Sequence, residues 1–437
     1  MRDDARGELV ARALAVVDGN RCGTYTCPSR HLYPHQWLWD SCFTAIGLAR
    51  VAPERAADEL RSLLRGQWAN GMVPHMVFAP GSHDVGSAHV WRSRRRPGAP
   101  RDVATTCITQ PPMLAVAVER VAAALAPDRR ERFLDEVVPK VVAHHRWLVR
   151  ERVRPGSALV TLVHPWECGL DSTPPWMGAL HEWPVPEWLR VVERIHLARL
   201  FRALRYDTRQ LPASERASDD DGLRMLALAV HLSHYDFDLD RIPRDDRAVL
   251  VEDLAFNAFF AAANESLRAL LGDLGDLEPL VGAQAHALDL LWHPATHEYC
   301  SRDALTHAPM SDRSIATFLP LLVSDAHVDE LVARLQDPAA YWPPYPVPSV
   351  PLEARHFQDH RYWAGPTWVN TNWAIVEALG RRGRGELAVD LRDRTLALVA
   401  EHGFAEYFSP QTGTGHGAPE FSWTAALAID LAYAAGA

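Results

Sequence analysis

The sequence predicts an all-α protein, and within that class an (α/α)6 barrel: a six-hairpin toroid whose long loops gather at one end. Three observations carry this. First, apolar residues recur at helical spacing in about a dozen or slightly more segments. These lie at 9–17, 37–51, 56–64, 111–126, 131–149, 186–204, 222–232, 248–271, 277–291, 314–323, 328–335, 366–379, 385–401 and 421–434. Second, strand-like alternation is scarce, which leaves nothing to pair in a parallel sheet. Third, the loops alternate in character. Those before Trp37, Pro111, Pro186, Pro366 and Phe421 are long and rich in Trp, Tyr, His, Pro and Gly, whereas those before Ala56, Glu131, Leu277, Val328 and Gly385 are short and plain. In consecutive antiparallel hairpins every second loop lies at the same end, so the decorated loops converge and build one cleft. No fixed period marks a solenoid of equal repeats.

With 437 residues, 48% of them hydrophobic, the chain can bury a large core. No Ser/Gly linker divides it. One domain over 1–437 is expected, with loop insertions around 70–105 and 340–362; a linear two-domain helical arrangement is the alternative. A charged fraction of 23% and a formal net charge of -10 describe an acidic protein without the basic stripe that nucleic acid requires. No window approaches the roughly 18 consecutive apolar residues of a membrane span. The charged start Met1–Arg6 leads into an amphipathic segment, so a cytoplasmic location is expected. The six cysteines, Cys22, Cys27, Cys42, Cys107, Cys168 and Cys300, contain no CxxC pair, which argues for reduced, mostly core thiols. The expected partner is a small molecule, and a homo-oligomer is compatible with the sequence.

The motifs are concentrated in the decorated loops. Tyr33, His35, Trp37 and Trp39 precede Asp40 in a first helical turn, where the helix dipole favours a carboxylate. Such a density of amphipathic aromatic surface exceeds what a helix cap needs and suits a sugar. His31 and His35 have ligand spacing, but Pro34 breaks the helix between them and no HExxH follows, so no metal site is expected. The run Arg92 to Arg101 is either a solvated loop or a cradle for an acidic substrate group. Gln110, before Pro111 and Pro112, either addresses a hydroxyl or caps a backbone.

The stretch 164–176, HPWECGLDSTPPW, combines two carboxylates, two tryptophans and three prolines. The prolines exclude a continuous helix and predict a stiff loop holding an acid beside flat aromatic faces. Asp253 and Asn257, one helical turn apart in an apolar segment, read as a hydrogen-bonded structural network. In YWAGPTW, 362–368, Trp363 is expected to line a cavity, with Gly365 permitting close approach and Pro366 opening a helix. Glu406, flanked by Phe404, Tyr407 and Phe408, is expected to be semi-buried, which raises its pKa and makes it a proton acceptor.

Taken in order, YPHQWLWD, TQPP, HPWECGLDSTPPW, YWAGPTW, EYFSPQTG and FSW resemble the family 63 glycoside hydrolases, in particular the bacterial branch that hydrolyses mannosylglycerate and glucosylglycerate. The resemblance runs from about residue 32 to residue 423. It implies an (α/α)6 barrel that inverts an α-glycosidic bond without metal or cofactor. It assigns Asp171 as acid and Glu406 as base, and places Tyr33, Trp37, Asp40, Gln110, Trp166, Gly169, Tyr362, Trp363 and Trp368 around the sugar. Glu167 is the rival acid and Glu420 the rival base. The chain departs from the resemblance at 81–89, where relatives acting on glycerate glycosides carry a Tyr-containing, Pro-rich loop. Two other classes fit the residues less fully: a sugar epimerase or lyase using His35, His164 or His360, and a non-catalytic carbohydrate-binding protein.

Overall fold

The computed structural model describes residues 3–81, 90–186, 210–242 and 249–434. They are mainly helical. Helices α1 (Asp3–Gly19), α2 (Leu38–Ala49) and α3 (Pro53–Leu63) come first. They are followed by α4 (Leu114–Ala124), α5 (Pro127–Arg152), α6 (Pro174–Glu182), α7 (Asp219–Ser233), α8 (Leu254–Leu271) and α9 (Glu278–Asp289). The last are α10 (Val328–Leu335), α11 (Val369–Arg381), α12 (Gly385–His402) and α13 (Ser422–Tyr433). No described helix is long and apolar enough to cross a membrane. The expected helix at 186–204 and most of the 81–89 departure lie outside the described residues.

Packing follows side-chain pattern. Helix α2 is buried at every position, and α13 is buried from Ser422 through Ala432, so each must be covered on all sides. The cover is mutual. Helix α2 packs on α4, α4 on α8, α8 on the 3-10 segment Ile315–Leu322, that segment on α11, α11 on α13, and α13 on α2. Each of these six has a partner outside the circuit. These are α3 on α2, α5 on α4, α9 on α8, α10 on the 3-10 segment, α12 on α11 and α1 on α13. The circuit closes where Gly47 meets α13, so tightly that a Cβ there would lie 2.0 Å from the Ala426 carbonyl oxygen. Asp430, 2% exposed, also joins three members: it accepts from Arg50 Nε at 2.7 Å and from Trp373 Nε1 at 2.8 Å.

Strands are two-residue antiparallel ladders that lace the decorated loops together. Gln36–Trp37, immediately before α2, pairs with Met76–Val77. Val251–Glu252, before α8, lies between Thr161–Leu162 and Arg302–Asp303. Thr367, just before α11, bridges Pro348 and Phe408, and Tyr407–Phe408 pairs with Gly415–His416.

Four local expectations need correction. The stretch 164–176 is not loop throughout, because Pro174 and Pro175 occupy the first turn of α6, where a missing N–H costs nothing. The segment 314–323 winds as 3-10 rather than α-helix, with Pro320 inside it. Within 248–271, Val251–Glu252 is recruited as a strand before α8 begins. Finally, Pro111 and Pro366 precede their helices by three residues instead of opening them.

Gly47→Ala is expected to destabilise the protein by at least about 1–3 kcal/mol, since a methyl group must displace backbone. Chemical denaturation of the variant checks this; an unchanged midpoint would show that the α2–α13 contact can yield.

Candidate active site

Residues from both ends of the chain meet at Glu406. The ladder at Tyr407–Phe408 fixes the backbone beside it, and its side chain is 2% exposed. Oε1 accepts from the Tyr33 hydroxyl at 3.0 Å and from Arg216 Nη1 at 3.3 Å, while Oε2 accepts from the Ala418 N–H at 3.0 Å. Burial pushes this carboxyl above its ordinary pKa, and the guanidinium and the hydrogen bonds pull against that. The cation and the two further donors favour its ionised form, and burial still leaves its pKa above the ordinary value.

Asp171 is half-buried and differently served. Its pKa is raised to about 7, chiefly by desolvation and to a lesser degree by the charge of Glu406, against the pull of Arg216 and of a hydrogen bond from Tyr362. Asp40, in the first turn of α2 and 4% exposed, is held well above the carboxylate range by burial and then by the charges of Glu406 and Asp171. Three carboxyls from loops far apart in sequence therefore share one electrostatic field. Arg216 is the counter-charge of Glu406 and Asp171. Its guanidinium carbon sits 4.2 Å from the centre of the Tyr362 ring and 5.6 Å from that of Tyr33.

The wall behind these groups is aromatic. Trp363 and Trp368 stack with centroids 3.8 Å apart, and Trp368 leans on Tyr407 at 4.6 Å. Both tryptophans are fully buried, so each spends one ring face on the other. Trp368 Nε1 donates to the Tyr362 carbonyl, helping to hold Tyr362 at φ 34. Trp37 is half-buried, edge-on to Tyr33 and to His75. Trp166 is half-buried between His164 and Trp91. Gly169 has φ 77, and a Cβ there would lie 2.5 Å from the Trp39 ring, so only glycine lets the Asp171 loop rest on that indole.

Gln110 is committed to the backbone: its Oε1 accepts from the Trp39 N–H at 3.3 Å. Glu167, the rival acid, is fully buried in an ion pair with Arg152 at 2.9 Å and accepts from the Val163 N–H at 2.9 Å and the Thr109 N–H at 3.3 Å. It ties the Asp171 loop to the Gln110 loop. Glu420, the rival base, is exposed. His35 Nδ1 accepts from the Ala79 N–H at 3.1 Å. Among the described residues the His/Cys/Asp/Glu group with ligand spacing is His181, Asp220 and Asp221, none of which belongs to this constellation. In the Arg92–Arg101 run, Arg96 is engaged by Asp236 and by the Ser233 carbonyl. Asp253 and Asn257 form the expected network. Asp253 accepts from Phe256 N–H and Trp176 Nε1, each at 2.8 Å, and Asn257 brackets Val160.

Sequence reasoning missed Arg216 and Glu215. Nothing in the surrounding ASERAS stretch distinguishes an arginine aimed inward from a solvated one. Glu215 accepts the Tyr362 N–H on its carbonyl at 3.2 Å, receives the Tyr407 hydroxyl there too, and takes the Gly417 N–H on its carboxylate at 3.0 Å.

Differently poised carboxyls sharing a cation, in front of stacked indoles and above a circuit of helices, define a glycoside hydrolase. The family model for the mannosylglycerate hydrolase MGH1-like glycoside hydrolase domain matches residues 33–424, and the chain belongs to that family. It is 35% identical to a mannosylglycerate hydrolase of Rubrobacter radiotolerans, with 97% of this chain and 96% of the relative covered. It is 33% identical to a glucosylglycerate hydrolase of Mycolicibacterium hassiacum, with 97% of each covered. Among solved structures it is similar to a family 63 mannosylglycerate hydrolase from Thermus thermophilus in complex with Tris and D-glycerate. That TM-score is 0.85 at 34% identity, covering 97% of this chain and 99% of that one.

Two variants probe this arrangement. The Tyr33 hydrogen bond lowers the pKa of Glu406. Tyr33→Phe is therefore expected to move the acid limb of the kcat/KM profile to higher pH, and an unmoved limb would separate Tyr33 from the proton chemistry. Glu167→Gln strands the buried Arg152 charge and is expected to cost about 3–5 kcal/mol in denaturant unfolding.

Proposed function

We propose that the protein is an inverting α-glycoside hydrolase acting on a small soluble glycoside of glyceric acid, mannosylglycerate or glucosylglycerate, with Asp171 as general acid and Glu406 as general base. The observation that carries this is the asymmetry of the two carboxyls. Asp171, raised to about 7, keeps its proton near neutrality, whereas Glu406 is buried against Arg216 with two further donors. Asp171 delivers its proton to the glycosidic oxygen as that bond breaks. Glu406 takes a proton from a water attacking the anomeric carbon on the opposite face. Inversion requires room for that water, a carboxyl separation of roughly 6.5–9.5 Å.

The remaining predicted residues have places in this scheme. Asp40 addresses sugar hydroxyls from the floor, Tyr33, Trp37, Trp166 and Tyr362 offer half-exposed rings, and Trp363 with Trp368 stiffens the wall behind them. Gln110 and Gly169 act by placing Trp39. The relatives' names supply the acidic aglycone, and Arg216 is the cation in the field where a carboxylate would be received. The six-member circuit with its six outer partners is read as the (α/α)6 barrel of a single domain over 1–437, with the cleft at its decorated end.

The test is incubation with mannosylglycerate, glucosylglycerate, trehalose and short α-glucosides, following product anomers by NMR. A glycerate glycoside should be consumed and the β-anomer of the hexose released first; release of the α-anomer would refute inversion. Asp171→Asn and Glu406→Gln should each lose about 10²–10⁴ in kcat while keeping the fold. Because the acid must be protonated, kcat/KM should fall as pH rises through about 7. Because the base must be ionised, it should fall again as pH drops through the Glu406 pKa.

A further inference from the structure

The chain returns from α1 toward Tyr33 through a tight hairpin, Arg21–Cys22 paired antiparallel with Tyr25–Thr26. Cys22 and Cys27 leave the hairpin on one face, their sulfurs 3.4 Å apart in a thiol–thiol hydrogen bond. Both also approach the Asn20 carbonyl oxygen, Cys27 at 3.3 Å and Cys22 at 3.6 Å. The two are unequal. Cys27 is buried, whereas Cys22 is half-buried and lies within reach of the exposed Arg30, whose Nη2 donates to the Arg21 carbonyl at 2.9 Å. The Cys27 hydrogen bond, aided by Arg30, lowers the pKa of Cys22 against the effect of burial, and Cys27 is pushed up by sharing its proton with that neighbour. An accessible sulfur with thiolate character beside a second that keeps its proton is the arrangement of an attacking and a resolving thiol.

We propose that Cys22 and Cys27 form an oxidation site at which a hydroperoxide closes an intrachain disulfide across the hairpin. The Cys22 thiolate attacks a peroxide oxygen and the O–O bond breaks. This leaves a sulfenic acid on Cys22 and a hydroxide or alkoxide that takes up a proton. The Cys27 sulfur then attacks the sulfenic sulfur, the S–O bond breaks, and water departs with the Cys27 proton. The two thiols lose two electrons and the peroxide gains them; with hydrogen peroxide the sum is one disulfide and two waters. The sulfurs need close only from 3.4 Å to about 2.05 Å, across a turn at the exposed Gly23. The pair stands at the root of the arm carrying Tyr33, and Ser422 Oγ holds that root by donating to the Cys27 carbonyl at 2.7 Å.

The test treats the full-length native protein with hydrogen peroxide, alkylates the remaining thiols and maps tryptic peptides. Cleavage after Arg21 and Arg30 places both sulfurs in one fragment. That fragment should lose two hydrogens and resist alkylation, and dithiothreitol should restore both thiols. Cys27→Ser should instead leave a Cys22 sulfenic acid that dimedone captures. If that variant does not fold, the wild-type map decides alone. Two thiols still open to alkylation, Cys22 driven to sulfinic acid without linkage, or a disulfide elsewhere would overturn the proposal.

Discussion

One buried guanidinium makes the rest of the cleft tenable. Asp40, Asp171 and Glu406 are withdrawn from water, and each resists ionisation on that account. Arg216 pulls the pKa of Asp171 and of Glu406 back down; without it both would be driven further toward neutrality, and Glu406 would be a poorer base. With it, the charge is spent unequally, because Arg216 ion-pairs directly with Glu406 and reaches Asp171 only through its field. Tyr33 and Tyr362 flank the guanidinium with their ring faces, fixing its position in surroundings where water would otherwise have screened it.

Such inequality survives only if the loops bearing these groups do not drift. Their anchorage is backbone. Two-residue ladders clamp the strands just before α2 and α8 and just after Glu406, and buried side chains knit the rest, Glu167 joining the Asp171 loop to that of Gln110. The helical circuit beneath supplies the stiffness. The predicted acid and base thus sit on irregular segments that are nonetheless densely hydrogen-bonded, which is what half-ångström placement of reacting groups demands.

How legible this is in the sequence depends on whether the signal is periodic. The helices of the circuit announce themselves by apolar spacing, and even the alternation of ornate and plain loops carries topology. Where proline governs, the reading is ambiguous: Pro174 and Pro175 look like helix breakers and are helix starters, because the penalty depends on position within the first turn. Asp171 and Glu406 are conspicuous for their aromatic company, but only family resemblance assigns their roles. Arg216 is invisible, since its meaning lies in contacts with residues some 190 positions away, which no local pattern encodes. Trp363 and Trp368 read as lining and are spent largely on each other, a pairing that composition cannot disclose.

Closure of the circuit by α13 has a cost in time. Helix α2 is buried on every side, and a principal cover, α13, is made only when residues 422–433 have been synthesised. A ribosome must therefore release that distant stretch before the early segment can be enclosed, and until then a sticky cylinder stands in water. Tyr33 likewise waits 373 residues for Glu406. Chains cut short of α13 would leave α1, α2 and α11 each without the neighbour that closes the circuit over them.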